Sequence, residues 1–117
     1  MLRNPTVSEL RLLRFLLGNA GSSESLEELL GNLKVSDMDD GGMGSLRLFA
    51  ADSSSTEREF GKCSSACQFA DKDGVDVIAS LNVDSNGDLY ELDIWKTNFG
   101  KLIRIPESSS EFRREQV

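Results

Sequence analysis

The sequence predicts an α+β fold in which two N-terminal helices pack on one face of an antiparallel sheet of about five strands. Three observations lead to this prediction. Leucines recur at helical spacing near the N-terminus, apolar and polar residues alternate over much of the rest, and Asn86-Gly87 separates two alternating runs. The 117 residues suffice for one domain. We place it at residues 1–106 and expect 107–117 to form a frayed tail, because that segment is polar and has no apolar period.

The first helix is predicted over residues 7–17, because Thr6 and Glu9 have the spacing of a capping box and Gly18 follows the last apolar residue. Apolar side chains leave only a narrow polar stripe on this helix. It is therefore either enclosed between other elements or part of a homodimer contact. The side chains that would form this dimer contact are Leu12, Phe15 and Leu16.

After a second, shorter helix that ends near Gly31-Asn32, the apolar period changes from helical to alternating. Strands are predicted at 33–35, 46–50, 63–69, 75–83 and 89–96, with a short closing strand at 102–105 before Pro106. The polar segment 51–61 is expected to be a mobile connection.

Asn86-Gly87 predicts a two-residue type I′ hairpin loop, since both residues tolerate a positive φ. The register then pairs Leu81 with Leu92 and Ile78 with Trp95. One face of the hairpin becomes apolar, and the other collects Ile78, Ser80, Asn82, Glu91, Asp93 and Trp95. A type I turn with a glycine bulge at Gly74 is predicted to place Phe69 opposite Val77.

The chain is acidic, with 13 Lys and Arg against 20 Asp and Glu, a net charge of −7. Residues 71–93 contain seven acidic residues and one lysine, and so carry −6 of that charge. This distribution argues against nucleic acid and anionic membranes as partners and favours a basic protein.

No apolar run approaches the roughly 20 residues of a membrane span. Cys63 and Cys67 would lie about 13 Å apart along one strand, too far for a disulfide, which favours the cytosol.

The absence of histidine excludes several kinds of catalytic and metal chemistry. The chain has no histidine, so Ser-His-Asp and Cys-His nucleophiles cannot be built within it. Two cysteines without histidine argue against a zinc site, and the Asp39–Gly44 loop lacks the lysine of a phosphate loop. We predict no catalytic residue, no metal and no cofactor. Weak calcium binding stays open as an alternative, because several residues have the spacing of an EF-hand loop: Asn82, Asp84, Asn86, Asp88 and Asp93.

An aromatic residue among carboxylates is the best candidate for a binding surface. The proposed contact residues for a basic partner are Asp76, Ile78, Glu91, Asp93 and Trp95. The structural alternative is that Trp95 is covered by residues 51–61 or by the tail, as part of a second small core.

Two sequence blocks, DGGMGSLRLF at 40–49 and DGVDVIASLNVDSNGDLYELDIWKTNFGKLIRIP at 73–106, resemble a family of small uncharacterised bacterial proteins with no established activity. Similar sequences tend to read Asp-Phe-Ser-Pro where this chain has residues 98–101. The resemblance implies no catalytic residue. In fold and charge the chain also resembles toxin-neutralising immunity proteins, which implies a non-enzymatic interaction domain that binds a basic partner. The alternatives are a homodimeric domain with a purely structural hairpin and a weak calcium-binding module.

Overall fold

The computed structural model of the chain describes residues 2–18, 23–50 and 58–117. Two helices come first, α1 at Val7–Leu17 and α2 at Ser23–Gly31. The strands are β1 at Lys34–Asp37, β2 at Leu46–Phe49, β3 at Phe60–Ala70, β4 at Asp76–Asp84, β5 at Leu89–Lys96 and β6 at Arg113–Glu115. Within the described residues these six strands form one antiparallel sheet in the order β1-β2-β5-β4-β3-β6. The α+β class is confirmed, with one strand more than expected.

Helix α1 begins and ends as predicted. The Glu9 amide donates to Thr6 Oγ1 at 3.1 Å, and the Thr6 amide donates to Glu9 Oε1 at 2.8 Å, which completes the capping box. Gly18 ends the helix at a φ of +59°. The buried side chains of α1, which pack with the sheet in a single apolar core, are Leu12, Leu13 and Leu16.

This packing corrects the expected dimer contact. Leu12 is fully buried and Leu16 is 2% exposed, so neither side chain is free to meet a second copy. Phe15 is half-buried and packs against Phe112, with 5.3 Å between the ring centroids. The sheet and the C-terminal segment thus cover most of the apolar side chains of the helix, and Val7 in its first turn stays exposed.

The β4–β5 hairpin keeps the predicted register from Val77–Lys96 to Asn82–Glu91, but its turn differs. The Gly87 amide donates to the Asp84 carbonyl at 3.0 Å, and Gly87 alone in the loop has a positive φ, +88°. The loop is therefore a type I turn with a glycine bulge rather than type I′. The Asp84 carboxylate stabilises it by accepting from the amides of Asn86 at 2.9 Å and Asp88 at 3.0 Å. Val83 then pairs with Leu89, which leaves one extra residue in β5 before Glu91.

The β3–β4 turn is as predicted. The Gly74 amide donates to the Asp71 carbonyl at 2.8 Å, Gly74 has a φ of +82°, and Phe69 pairs with Val77. The core face of the sheet also receives Lys96, which is only 2% exposed.

Two predictions for the C-terminal part are wrong. Residues 102–105 form no strand, because the amides of Ile103 and Arg104 donate to the Asp71 side chain instead of to a neighbouring strand. The expected frayed tail contains a 3₁₀ turn at Ser109–Glu111 and strand β6, which pairs with β3. Phe112 anchors this segment, since it is 5% exposed and belongs to the core.

Most of the predicted connection at 51–61 lies outside the described residues, as does the loop before α2. None of the helices in the described ranges is long and apolar enough to cross a membrane. Cys63 and Cys67 are both free thiols on β3, as their spacing predicted.

Candidate interaction surface

The side of the sheet opposite α1, here called the outer face, carries an exposed aromatic pair. Trp95 lies opposite Ile78 in the β4–β5 register and is 40% exposed. Phe99, in the turn after β5, is 72% exposed, and its ring centroid lies 6.1 Å from that of Trp95. Strand β6 of the tail does not cover Trp95, because it pairs with β3, which β4 separates from β5.

A group of carboxylates lies beside this pair. Burial raises the pKa of the Asp93 carboxyl above its ordinary value, and the negative charges of Glu91 and Asp40 add to the increase. The hydroxyl of Ser45 approaches Asp93 only at 3.5 Å. The negative charge of Asp93 is therefore only weakly compensated. A cation next to Asp93 would reduce its repulsion with Glu91 and Asp40.

The other two acidic residues of the predicted surface are placed differently. Glu91 accepts from the amide side chain of Asn82 at 3.0 Å and lies opposite Arg47 of β2, so a basic residue already faces it. Asp76 is exposed, and its carbonyl accepts from the Thr97 amide at 3.0 Å. The sheet thus brings Ile78, Trp95 and Asp93 together at its centre, while Asp76 lies at the end of β4 near the turn that follows β5.

The Asp39–Gly44 loop packs next to this end of β5. Burial opposes ionisation of Asp40, but the amides of Ser45 at 2.9 Å and Met43 at 3.1 Å outweigh it and hold its pKa below the ordinary value. The Ser45 hydroxyl accepts from the Ile94 amide at 2.9 Å and so continues the β2–β5 contact beyond the paired residues. The Leu102 amide donates to the Gly42 carbonyl at 3.0 Å. The two sequence blocks therefore meet at one end of the sheet.

A buried ion pair lies under the same end. Lys96 Nζ donates to Asp71 Oδ2 and to Asp73 Oδ2, each at 2.8 Å, and to the Lys101 carbonyl at 3.1 Å. The Asp71 side chain is fully buried and also accepts three backbone amides. Burial opposes ionisation of Asp71, yet the ammonium of Lys96 and these amides lower its pKa to about 2. Each oxygen of the Asp71 carboxylate already accepts two hydrogen bonds, so this ion pair has a structural role.

Sequence reasoning missed Phe99 and this ion pair. Strand alternation contained the signal for Lys96, because it shares a face with the buried Leu92 and Ile94. A lysine at a buried strand position needs a carboxylate partner to compensate its charge, and the turn after β3 contains two carboxylates. Phe99 carried only a weak signal, as a single aromatic residue in a polar turn.

The spacing that suggested a calcium loop is carried by a hairpin instead of two helices. Asp84 is already engaged by the amides of its own turn, and Asn82 donates to Glu91. In the described part of the chain, no three acidic or cysteine side chains converge as ligands for a metal ion.

Comparison with protein families finds a match over most of the chain. The model of a domain family of unknown function, DUF6984, matches residues 2–106, which include both sequence blocks and all elements from α1 to β5. No curated protein and no solved structure matches the chain. Because the match covers most of the chain, the protein belongs to the DUF6984 family.

Proposed function

We propose that this protein is a non-enzymatic interaction domain that binds a basic protein through the outer face, with its centre at Trp95 and Asp93. The observation that carries the proposal is the exposed Trp95–Phe99 pair beside a carboxylate whose pKa is raised by its surroundings. Exposed aromatic anchors beside unpaired charge are typical of protein interfaces. An immunity-like role, in which an acidic face covers a basic protein, fits this chemistry.

The negative charge of the outer face favours a basic partner over a second copy of the chain. Face-to-face contact of two copies would bring one acidic face against another, and like charges placed together at an interface cost several kcal/mol. A basic protein meets the same residues with attraction. Within the face, Asp93 contributes more than Glu91, because Glu91 already lies opposite Arg47. The unpaired thiols of Cys63 and Cys67 fit a reducing compartment such as the bacterial cytosol.

The test is an NMR titration with hexalysine as a defined basic probe and hexaglutamate as its acidic counterpart. We expect hexalysine to shift the amide signals of β4 and β5 around Ile78 and Trp95, with an affinity that falls as salt is added. Asp93→Asn should weaken binding by about threefold, a typical effect for one exposed charge. Asp88→Asn removes the same charge from the turn at the other end of β5 and should leave the affinity unchanged.

Equal effects of the two substitutions, or shifts spread over the whole surface, would rule out the outer face as the binding site. Once a natural partner is isolated, substitutions at Asp93 and Asp88 show whether that partner also binds the outer face. Asp93→Lys and Trp95→Ala should abolish its binding, and Asp88→Lys should not.

A further inference from the structure

Arginine side chains of this chain cover two other groups of aromatic rings. The Arg58 guanidinium lies 4.5 Å from the ring centroid of Phe49 and 5.2 Å from that of Tyr90. The Arg114 guanidinium lies 4.8 Å from the centroid of Phe15. All three distances are within the roughly 6 Å over which a cation is attracted to a ring face. Arginine over an aromatic ring is thus a recurrent contact in this fold.

The Trp95–Phe99 pair has no such cover. All 13 Lys and Arg residues fall within the described ranges. None of their charged groups lies over the ring of Trp95 or Phe99 in the described structure, and the two residues remain 40% and 72% exposed. Asp93 lies on the same face of β5, two residues before Trp95, which is about 7 Å along the strand.

The backbone holds Phe99 in place at a conformational cost. Phe99 has a φ of +61°, which bulky residues rarely adopt. Its amide donates to the Lys96 carbonyl at 2.8 Å, and the following Gly100 amide donates to Asn98 Oδ1 at 2.8 Å. A strained backbone that presents an exposed ring indicates a position with a role beyond packing.

We propose that Trp95 and Phe99 form a receptor for an arginine side chain of the basic partner, with Asp93 as the neighbouring counter-charge. This inference rests on the proposed function and specifies its anchor. The ring centroids are 6.1 Å apart with 54° between the ring planes. A guanidinium placed about 4.5 Å from each centroid, as Arg58 is from Phe49, can contact both rings. Arginine fits better than lysine, because its planar and weakly hydrated group stacks on aromatic rings.

Trp95 is the only tryptophan of the chain, so its indole N–H gives a single NMR signal that reports on this site directly. The probes are three capped tripeptides: Gly-Arg-Gly, Gly-Lys-Gly and Gly-citrulline-Gly, in which citrulline has nearly the shape of arginine without its charge. We expect the arginine peptide to shift the indole signal saturably, with weak, millimolar affinity. The citrulline peptide should bind at least fivefold more weakly, and the lysine peptide should fall between the two.

Phe99→Leu retains an apolar side chain but removes the ring, and it should reduce the affinity for the arginine peptide at least threefold. Tyr90→Leu is the matched control, because it alters an aromatic group that Arg58 already covers. It should leave the arginine response of Trp95 unchanged. The amide spectrum of each variant shows whether it is folded, and the comparison of arginine with citrulline requires no variant.

Equal binding of the arginine and citrulline peptides, or an undiminished response in folded Phe99→Leu, would overturn the arginine receptor. The proposed function is tested separately. If hexalysine binding still depends on Asp93, the outer face remains the interface and only the arginine anchor is wrong. If hexalysine fails to bind while the arginine peptide binds, the broader acidic face is wrong.

Discussion

Asp71→Asn is the perturbation that tests the structural account most directly. Its side chain is fully buried and accepts from Lys96 Nζ and from the amides of Lys72, Ile103 and Arg104. Asparagine has nearly the same shape, but it removes the negative charge and replaces one acceptor with an NH₂ group. Either orientation of the amide places its NH₂ group against donors, which are Lys96 and the Ile103 amide at the Oδ2 position or the Lys72 and Arg104 amides at the Oδ1 position.

Removal of one partner from a buried ion pair typically costs 3–5 kcal/mol. We place Asp71→Asn at the lower end, about 3 kcal/mol, because Asp73 still compensates part of the charge of Lys96. In a domain of this size, that loss lowers the thermal midpoint by about 10 °C. The assay is thermal unfolding followed by circular dichroism at pH 7.

Asp73→Asn is the matched control. Both carboxylates bind the same ammonium at 2.8 Å, but the Asp73 side chain is 39% exposed and that of Asp71 is fully buried. We therefore expect Asp73→Asn to shift the midpoint by only a small part of the Asp71→Asn shift. Equal shifts for the two variants would contradict this expectation, because they would show that burial does not decide the strength of the contact.

The contribution of Asp71 to the free energy of unfolding should also depend on pH, and it should decrease as the pH falls. Its pKa is lowered from 3.8 to about 2 in the folded protein. Stability from this group is therefore fully present above about pH 4 and is lost as the pH falls towards 2. The difference in stability between the wild type and Asp71→Asn should narrow over this interval, and a constant difference would contradict the assigned pKa.

The backbone at Gly61 and the C-terminal segment at Phe112 should also be sensitive to substitution. A Cβ at Gly61 would lie 2.3 Å from the Asp84 carbonyl oxygen, so Gly61→Ala should lower the unfolding midpoint, whereas Gly31→Ala has open space around it and should not. Phe112→Ala should cost about 3 kcal/mol in urea unfolding, because the ring is buried in the core. The neighbouring exposed Arg113→Ala should change stability little, and equal effects of the two would show that the segment is not part of the core.

Local patterns predicted much of the fold because the relevant forces act over short stretches. The capping box of α1, the glycine bulge at Gly74 and the hairpin pairing from Val77 to Asn82 all follow from neighbouring residues. The turn at Asp84 was misjudged, because Asn-Gly favours type I′ but the Asp84 carboxylate binds the loop amides and favours a type I turn.

The C-terminal errors have a long-range cause. Ile103 and Arg104 look like a strand, but their amides bind a carboxylate more than 30 residues earlier in the sequence. Phe112 is one aromatic residue in a polar tail, and its burial depends on Phe15 and Phe69, which no local pattern connects to it. The sequence predicted that Trp95 lies on the outer face. The position of Phe99 beside it could not be predicted, because it depends on the geometry of the turn after β5.

The buried ion pair and the exposed aromatic pair are linked through β5, because Trp95 and Lys96 are consecutive residues with side chains on opposite faces of the sheet. The Lys96 carbonyl accepts from the Phe99 amide, and its ammonium donates to the Lys101 carbonyl, so both ends of the turn that carries Phe99 are attached to one residue. Asp71 fixes that ammonium from the core side. Asp71→Asn should therefore weaken the arginine response of Trp95 even at temperatures where the variant is fully folded. An unchanged response in that variant would show that the turn keeps its geometry without the ion pair.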